Sequence, residues 1–342
     1  MDSASLYVLI IGLAGAVIGI GLLITYLTRW SEHKERYKFY LIPGYRNPEF
    51  SAKEFEIGKI KSKRRFFRRL LTPLTIAGMI MILFIAVLAV YSCWFTPYPL
   101  QELSRPFTPQ LGDPFAAPSP EHPLGTTKYA YDILGRLIWG ARTALTAAAL
   151  PVLISTGGGL VMGTISAYFG GVIDSIIMRF VDFWFAFPML ILILIISPIV
   201  GQDLYSLLVL YGIFYIPYNA RWIRALVLQV RQNIYVRAAI TGGAEKFKVM
   251  FKHILPNAIS PVIVGFFGAM AGSVLGFASI AYLKLGDETF ADWGTDISYG
   301  QAQKFTAYWA LFWPGLFIAI TAIGFMLIGD GLRDALDPRL HI

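Results

Sequence analysis

The chain has 342 residues, 56% of them hydrophobic and only 15% charged, with a mean hydropathy of +0.60 and a formal net charge of +8. A water-soluble domain carries about 25% charged residues. This chain therefore cannot cover itself in water and belongs in a bilayer.

Seven segments are long and apolar enough to span: 6–27, 73–95, 143–168, 176–200, 204–228, 258–283 and 308–329. Each holds about 20 or more largely apolar residues, matching ~30 Å of hydrocarbon at ~1.5 Å per residue. The first, LYVLIIGLAGAVIGIGLLITYL, has Asp2 and no cation before it and its basic flank behind it. That order reverses a secretory signal, so the segment is read as a retained helix. Next comes a basic stretch, 28–72, with 13 Lys/Arg against 5 Asp/Glu, ending in KIKSKRRFFRRLL. Beside a span such a run anchors topology and attracts anionic lipid, by about 1 kcal/mol per cation. It contains no nucleic-acid-reading motif.

The single cysteine, Cys93, excludes an intrachain disulfide and is read as a small buried hydrophobe. Residues 96–125 hold eight of the nineteen prolines, a density that forbids regular helix and predicts an extended loop. In YDILGRLIWGARTAL, residues Ile133, Leu134, Leu137, Ile138 and Ala141 share one face, which predicts an interfacial helix leading into the third span. The small-residue pairs Gly15/Gly19 and Gly159/Gly163 allow close helix approach in lipid.

Charge orients the whole. Residues 221–256 carry seven Lys/Arg against the single acid Glu245, whereas 96–141 and 284–308 carry five against eight acids. The positive-inside rule places 28–72 and 221–256 in the cytoplasm. With seven spans the N-terminus lies outside and the C-terminus inside.

Catalytic chemistry is missing. Gly58-Lys59 has Lys53 where a phosphate-binding loop needs its first Gly, and Ile60 where it needs Ser or Thr. The four histidines, His33, His122, His253 and His341, are too scattered for a metal site. No cofactor is expected on the chain. Intramembrane charges are scarce; Arg179 and Asp182, three apart, are placed to pair on one helix face, and Asp174 and Arg142 lie near interfaces. A secondary transporter, the rival from outside the class reached below, would need carboxylates near mid-bilayer, and none falls there.

Between two apolar segments lies YVRAAITGGAEKFKVMFKHILPNAISPVIV, residues 235–264. Gly242-Gly243 breaks the helix. Phe247, Met250, Phe251 and Ile254 then recur at helical spacing among Lys246, Lys248 and Lys252, and Pro256 ends that turn or starts the next helix. Two readings fit: a lever that passes motion from a soluble partner into the bilayer, or an amphipathic helix resting on headgroups.

The stretch resembles the signature of ABC-transporter permease subunits: Glu-Ala-Ala, three residues, Gly, nine residues, then Ile-x-Leu-Pro. Here it reads Arg237-Ala238-Ala239, Gly243, then His253-Ile254-Leu255-Pro256. HPLGTTKYAYDILGRLIWGARTAL, AYFGGVIDSIIMRFVDFWFAFP, YNARWIRALVL, DWG, WPGL and GDGLRDALDPRL extend the likeness, in order, over roughly 75–342. The family resembled is the C-type permease of dipeptide, oligopeptide and nickel importers. Arg237 departs from the signature Glu, and Lys128 and Tyr131 interrupt the usual acidic pattern of the outer loop.

The resemblance implies an all-α integral membrane protein, a polytopic helical bundle with the six-span core of a type I importer. The expected parts are an extra N-terminal membrane helix (1–28), a basic cytoplasmic segment (29–72) and the permease domain (73–342). That domain would hold the outer loop at 96–135 and the coupling loop at 229–257. Expected partners are a second permease, cytoplasmic ATPases carrying ATP and Mg, an external solute-binding protein and membrane lipid, in the cell membrane. The implied contacts with the ATPase are Arg237, Ala238, Ala239, Gly242, Gly243, Phe247, Met250, Phe251, His253, Leu255 and Pro256. Di- or oligopeptides are the implied solute, with oligosaccharides or nickel as the alternative.

Overall fold

The computed structural model describes residues 70–100, 103, 113–201, 203–285 and 290–336; the expected helix at 6–27, nearly all of the basic segment and the Gly15/Gly19 pair lie outside them. The chain divides into two compact units, Met1–Thr75 with Asp334–Ile342, and Ile76–Arg333. Of the first, the described part begins a helix, with Thr72 Oγ1 accepting from the Thr75 amide at 3.2 Å. All further packing described here is within the second unit.

Every described element is helical, apart from an isolated antiparallel bridge between Thr126 and Asp132. In order they are α1 (Pro73–Val90), α2 (Ser92–Phe95), α3 (Ile133–Phe169), α4 (Gly171–Phe185), α5 (Met189–Val200), α6 (Leu204–Phe214) and α7 (Ile216–Arg231). Then come α8 (Ile234–Thr241), α9 (Lys246–Val249), a π-helical turn (Met250–Ile254), α10 (Leu255–Tyr282), α11 (Trp293–Gly300), a 3-10 turn (Gln301–Gln303) and α12 (Trp309–Leu336). Large apolar side chains point outward, among them Ile80 at 61%, Ile195 at 58% and Ile199 at 82% exposure. A soluble protein would not tolerate such a surface; lipid makes it neutral.

Four helical segments are long and apolar enough to cross a membrane: Pro73–Val90, Ile133–Phe169, Lys246–Tyr282 and Trp309–Leu336. The pair α4 and α5, bent by 87°, makes a fifth if it is one span. The bend falls at Pro188, which pushes Phe187 out of helical geometry. The expected span at 204–228 is divided into two helices that meet at Tyr215, with Pro217 in the first turn of α7. Proline lacks the N–H that would continue α6.

The predicted interfacial helix at 133–141 is also corrected, because it forms the first turns of α3. The segment is buried on all sides, including Gly135, Arg136, Trp139 and Gly140, so it has no face free for headgroups. Asp132 caps it, accepting from the Gly135 amide at 2.7 Å. At ~1.5 Å per residue α3 is about 55 Å long, nearly twice the hydrocarbon thickness. It is the central post. Leu137 and Ala144 meet Val274 of α10, Trp293 of α11 and Phe325 of α12 in one core cluster, while Ala167 and Tyr168 join Ile223, Val227, Val249 and Ile254 in another.

Close approach of α3 and α7 uses the glycine pair. A Cβ on Gly163 would lie 2.5 Å from the Ala220 carbonyl, and one on Gly159 2.5 Å from the Asn219 Cβ. Gly163→Val is therefore expected to force the helices apart at a cost of about 1–3 kcal/mol. The check is a lower unfolding temperature of the detergent-solubilised protein. Cys93, expected to be buried, is exposed; its thiol faces outward from α2.

Candidate functional site

At the Phe169 end of α3 the basic segment folds as a helix, a glycine turn and a second helix. Gly243 adopts φ +79°, the left-handed region, which a Cβ would strain by about 1–2 kcal/mol. The turn is closed by the backbone: the Gly242 amide donates to Ala238 at 2.9 Å, Gly243 to Ile240 at 3.0 Å and Ala244 to Ala239 at 3.1 Å. Beyond it, α9 leads through the π turn into α10 without a break. Pro256 stands in the first turn of α10, the second of its two expected places. The widened turn stands just ahead of the proline, whose ring would crowd an ordinary α-helical turn.

The segment is held to α3 by named contacts. The Tyr168 hydroxyl donates to the Lys246 carbonyl at 2.7 Å, and the rings of Phe169 and Phe247 lie 6.3 Å apart. Arg231, closing α7, donates to the Ala167 carbonyl at 2.9 Å and sits 5.9 Å from the Tyr168 ring. Motion of α9 would thus be passed directly to the end of the central helix.

The expected site residues separate by face. Phe247 is 63% and Phe251 60% exposed, with Ile234 at 85% and Ile240 at 51% beside them. Arg237, Ala238, Gly242, Gly243, Lys246, Lys248, Lys252 and Pro256 are exposed; Ala239, His253 and Leu255 are half-buried. Met250 points the other way, 5% exposed against Val236, Val249 and Ile254. It belongs to the core and not to the free face, a correction to its expected role as an anchor. What remains is an apolar surface rimmed by four cations.

The expected pair of Arg179 and Asp182 does not form. Asp182 pairs with Arg221 of α7, whose guanidinium also stacks 4.4 Å from the Phe185 ring, and Arg179 has no ion-pair partner among the described residues. Asp174 takes Arg224, with Nε to Oδ1 at 2.6 Å, and a hydroxyl donated by Ser166. Both pairs lock α4 to α7, across a separation that helix periodicity cannot reveal.

The opposite end of α3 carries a polar cluster that sequence reasoning missed. Arg136 Nε donates to Asp296 at 2.7 and 3.0 Å, and its guanidinium also reaches the Leu103 carbonyl. Both side chains of the ion pair are at least nine-tenths buried, at 6% and 4% exposure. Asp292 caps α11, accepting from the Thr295 amide at 2.9 Å and its hydroxyl at 2.7 Å. Burial pushes the Asp296 carboxyl up to about 6; Arg136 opposes that rise and Asp292 adds to it. Burial likewise raises Asp292 and Asp132, the latter 3.3 Å from His122. Lys128, read as a departure from the family pattern, stands over the rings of Tyr129 and Tyr299 at 5.2 and 5.1 Å. An arginine inside the apolar run ILGRLIWG was the available signal, since a buried cation requires a partner.

Comparison with known proteins agrees with this architecture. Residues 159–342 match the family described as binding-protein-dependent transport system inner membrane component. The chain is 35% identical over 273 residues to the oligopeptide transport system permease protein OppC of Bacillus subtilis, covering 78% of this chain and 86% of that one. It is 31% identical over 295 residues to the dipeptide transport system permease protein DppC of Alkalihalophilus pseudofirmus, covering 86% and 95%. Against the glutathione transport system permease protein GsiD of Pectobacterium atrosepticum the identity is 32% over 279 residues, covering 81% and 91%. A helical membrane chain with these likenesses along most of its length belongs to the family of inner-membrane components of binding-protein-dependent transport systems.

Proposed function

We propose that this chain is one of two permease subunits of an ATP-driven importer of di- or oligopeptides, and that 235–256 is where it meets a cytoplasmic ATPase. Membership of the family makes it a transport subunit and not an enzyme. The peptide assignment is supported by the relatives, whose names are those of oligopeptide, dipeptide and glutathione permeases. ATP and Mg sit on the ATPases, and the chain holds no cofactor. In this reading the basic segments face the cytoplasm, with the N-terminus outside and the C-terminus inside. α6 and α7 together complete a six-span core, to which 1–28 adds a helix.

The observation that carries the docking site is the exposed face of Ile234, Ile240, Phe247 and Phe251 with its rim of Arg237, Lys246, Lys248 and Lys252. Apolar anchors inside a charged rim give affinity at the centre and steering at the edge. An amphipathic helix resting on lipid would not need the Gly243 turn or the clamp of Tyr168 on Lys246.

The test is affinity purification of the mildly solubilised protein from its native membranes, followed by mass spectrometry. A second permease and one or two ATPases are expected to co-purify. In Gly243→Glu no neighbour within 4 Å opposes the side chain, but the left-handed backbone does, and the ATPases should be lost while the chain stays inserted. Recovery of the chain alone, or full ATPase retention and uptake by Gly243→Glu, would refute the coupling role.

A further inference from the structure

Between α3, α7 and α10 lies a cavity of about 410 Å³, within the ~300–1,000 Å³ that ligand pockets occupy. One wall is aromatic, from Tyr211, Tyr215, Tyr218 and Trp222, and none of its lining side chains is charged. α10 supplies the floor, and its glycines shape it. A Cβ on Gly265 would lie 2.2 Å from the Trp222 ring and one on Gly276 2.0 Å from the Tyr211 hydroxyl. The outer end of each ring thus abuts the helix at a glycine, the two contacts about 16 Å apart along its axis by helical rise. Between them, Gly268 and Gly272 have no heavy atom within 4 Å of a Cβ position. The floor between the rings is open.

Asn219 gives this space its chemistry. It is 7% exposed and lines the cavity, and its side-chain amide has no hydrogen-bond partner among the described residues. The two serines of the wall are engaged by the protein, Ser273 donating to the Ala147 carbonyl at 2.5 Å and Ser155 to Val152 at 3.4 Å. Asn219, like the Tyr218 hydroxyl and the Trp222 indole, has no protein hydrogen-bond partner among the described residues. Its polar atoms open on the cavity, where water can serve them when the cavity is empty and a ligand can take the place of that water. Asn219 presents an acceptor and a donor side by side, the complement of a peptide group's N–H and C=O.

We infer that this cavity is the solute-binding stretch of the pathway in this subunit, that Asn219 hydrogen-bonds a backbone amide of the passing peptide, and that the tyrosine wall packs its apolar parts. The inference rests on the peptide-import reading above and deepens it. An uncharged wall explains how one pathway passes peptides of differing side-chain charge: the group read is the amide that all peptides share. Metal ions find no ligands there, as the lining contains no His, Cys, Asp or Glu.

The test uses membrane vesicles carrying the whole transporter, with Cys93→Ser removing the natural thiol and Gly272→Cys placing one on the open floor. A membrane-impermeant methanethiosulfonate should label Gly272→Cys, and saturating trialanine should slow labelling at least fivefold, whereas maltotriose should not. Gly157→Cys, also in open space but outside the cavity, should show no protection. Asn219→Leu, close in shape, should lower trialanine uptake about tenfold, the equivalent of one lost hydrogen-bonded group, with ATPase association intact. An unlabelled Gly272→Cys, protection by maltotriose alone, labelling indifferent to trialanine in vesicles that import it, or unchanged uptake by Asn219→Leu would each overturn the inference. Vesicles that import no trialanine would overturn the substrate class instead. In them, Gly272→Cys labelling that changes with ATP supports the cavity as pathway, and labelling that does not overturns it.

Discussion

Arg136→Met is expected to destabilise the folded protein by about 3–5 kcal/mol at neutral pH, the usual result of removing one partner from a buried ion pair. The variant leaves Asp296 4% exposed without its counter-charge and with Asp292 still adding to the raised carboxyl. The Leu103 carbonyl loses its donor as well. Asp296→Asn should cost at least as much, because it leaves the Arg136 guanidinium, which cannot shed its charge, buried without a counter-charge.

The pH dependence follows from the sign of the shift. The Asp296 carboxyl is raised from 3.8 to about 6 in the folded state, so the folded protein holds the proton more tightly than the unfolded chain. Its contribution is fully present below 3.8 and is lost as pH rises through about 6. Without Arg136 the folded value climbs further and the loss continues to higher pH. The gap between wild type and Arg136→Met should therefore widen from pH 5 to pH 8. Thermal unfolding of the solubilised protein across that range reads it out. A double variant, Arg136→Met with Asp296→Leu, should recover much of the stability, since apolar replacements of whole buried pairs are often neutral or better. A gap that does not depend on pH would show that Arg136 acts through packing alone.

Which parts of this protein were legible in its sequence follows from what a bilayer demands. Apolar runs of span length are obligatory in lipid, so α1, α3, α10 and α12 stand close to where hydropathy put them. Windows fail where a partner far along the chain changes the rule. Arg136 interrupts an apolar run, and only Asp296, 160 residues away, makes the first turns of α3 a buried helix and not an interfacial one. Tyr215 and Pro217 divide a run that reads as one span. Asp182 chose Arg221 over its helical neighbour Arg179 because α7 packs beside α4, which spacing cannot show. Nor does an amide such as Asn219 announce itself, since its meaning lies in the glycine-floored space facing it.

Segment 235–256 shows the same limit at the scale of a single turn, and it carries the second large expected effect. Helical spacing groups Phe247, Met250, Phe251 and Ile254 as one apolar set, and the structure divides it, since the i, i+3, i+4 pattern alone does not say which of its members meet the core. The structure turns Met250 and Ile254 inward, at 5% and 0% exposure, and leaves Phe251 at 60%. The two positions should therefore fail in different ways. Phe251→Asp, adding a carboxylate to the exposed face, should abolish ATPase co-purification and reduce uptake by at least tenfold, with the unfolding temperature of the isolated chain unchanged. Met250→Ala should do the reverse, costing about 2–5 kcal/mol of stability through a core cavity while the surviving folded protein still binds ATPase. Unfolding temperature and ATPase recovery, measured on the same two preparations, separate these outcomes. If Phe251→Asp retained its ATPase while Met250→Ala lost it at unchanged stability, the docking face would be the one now assigned to the core.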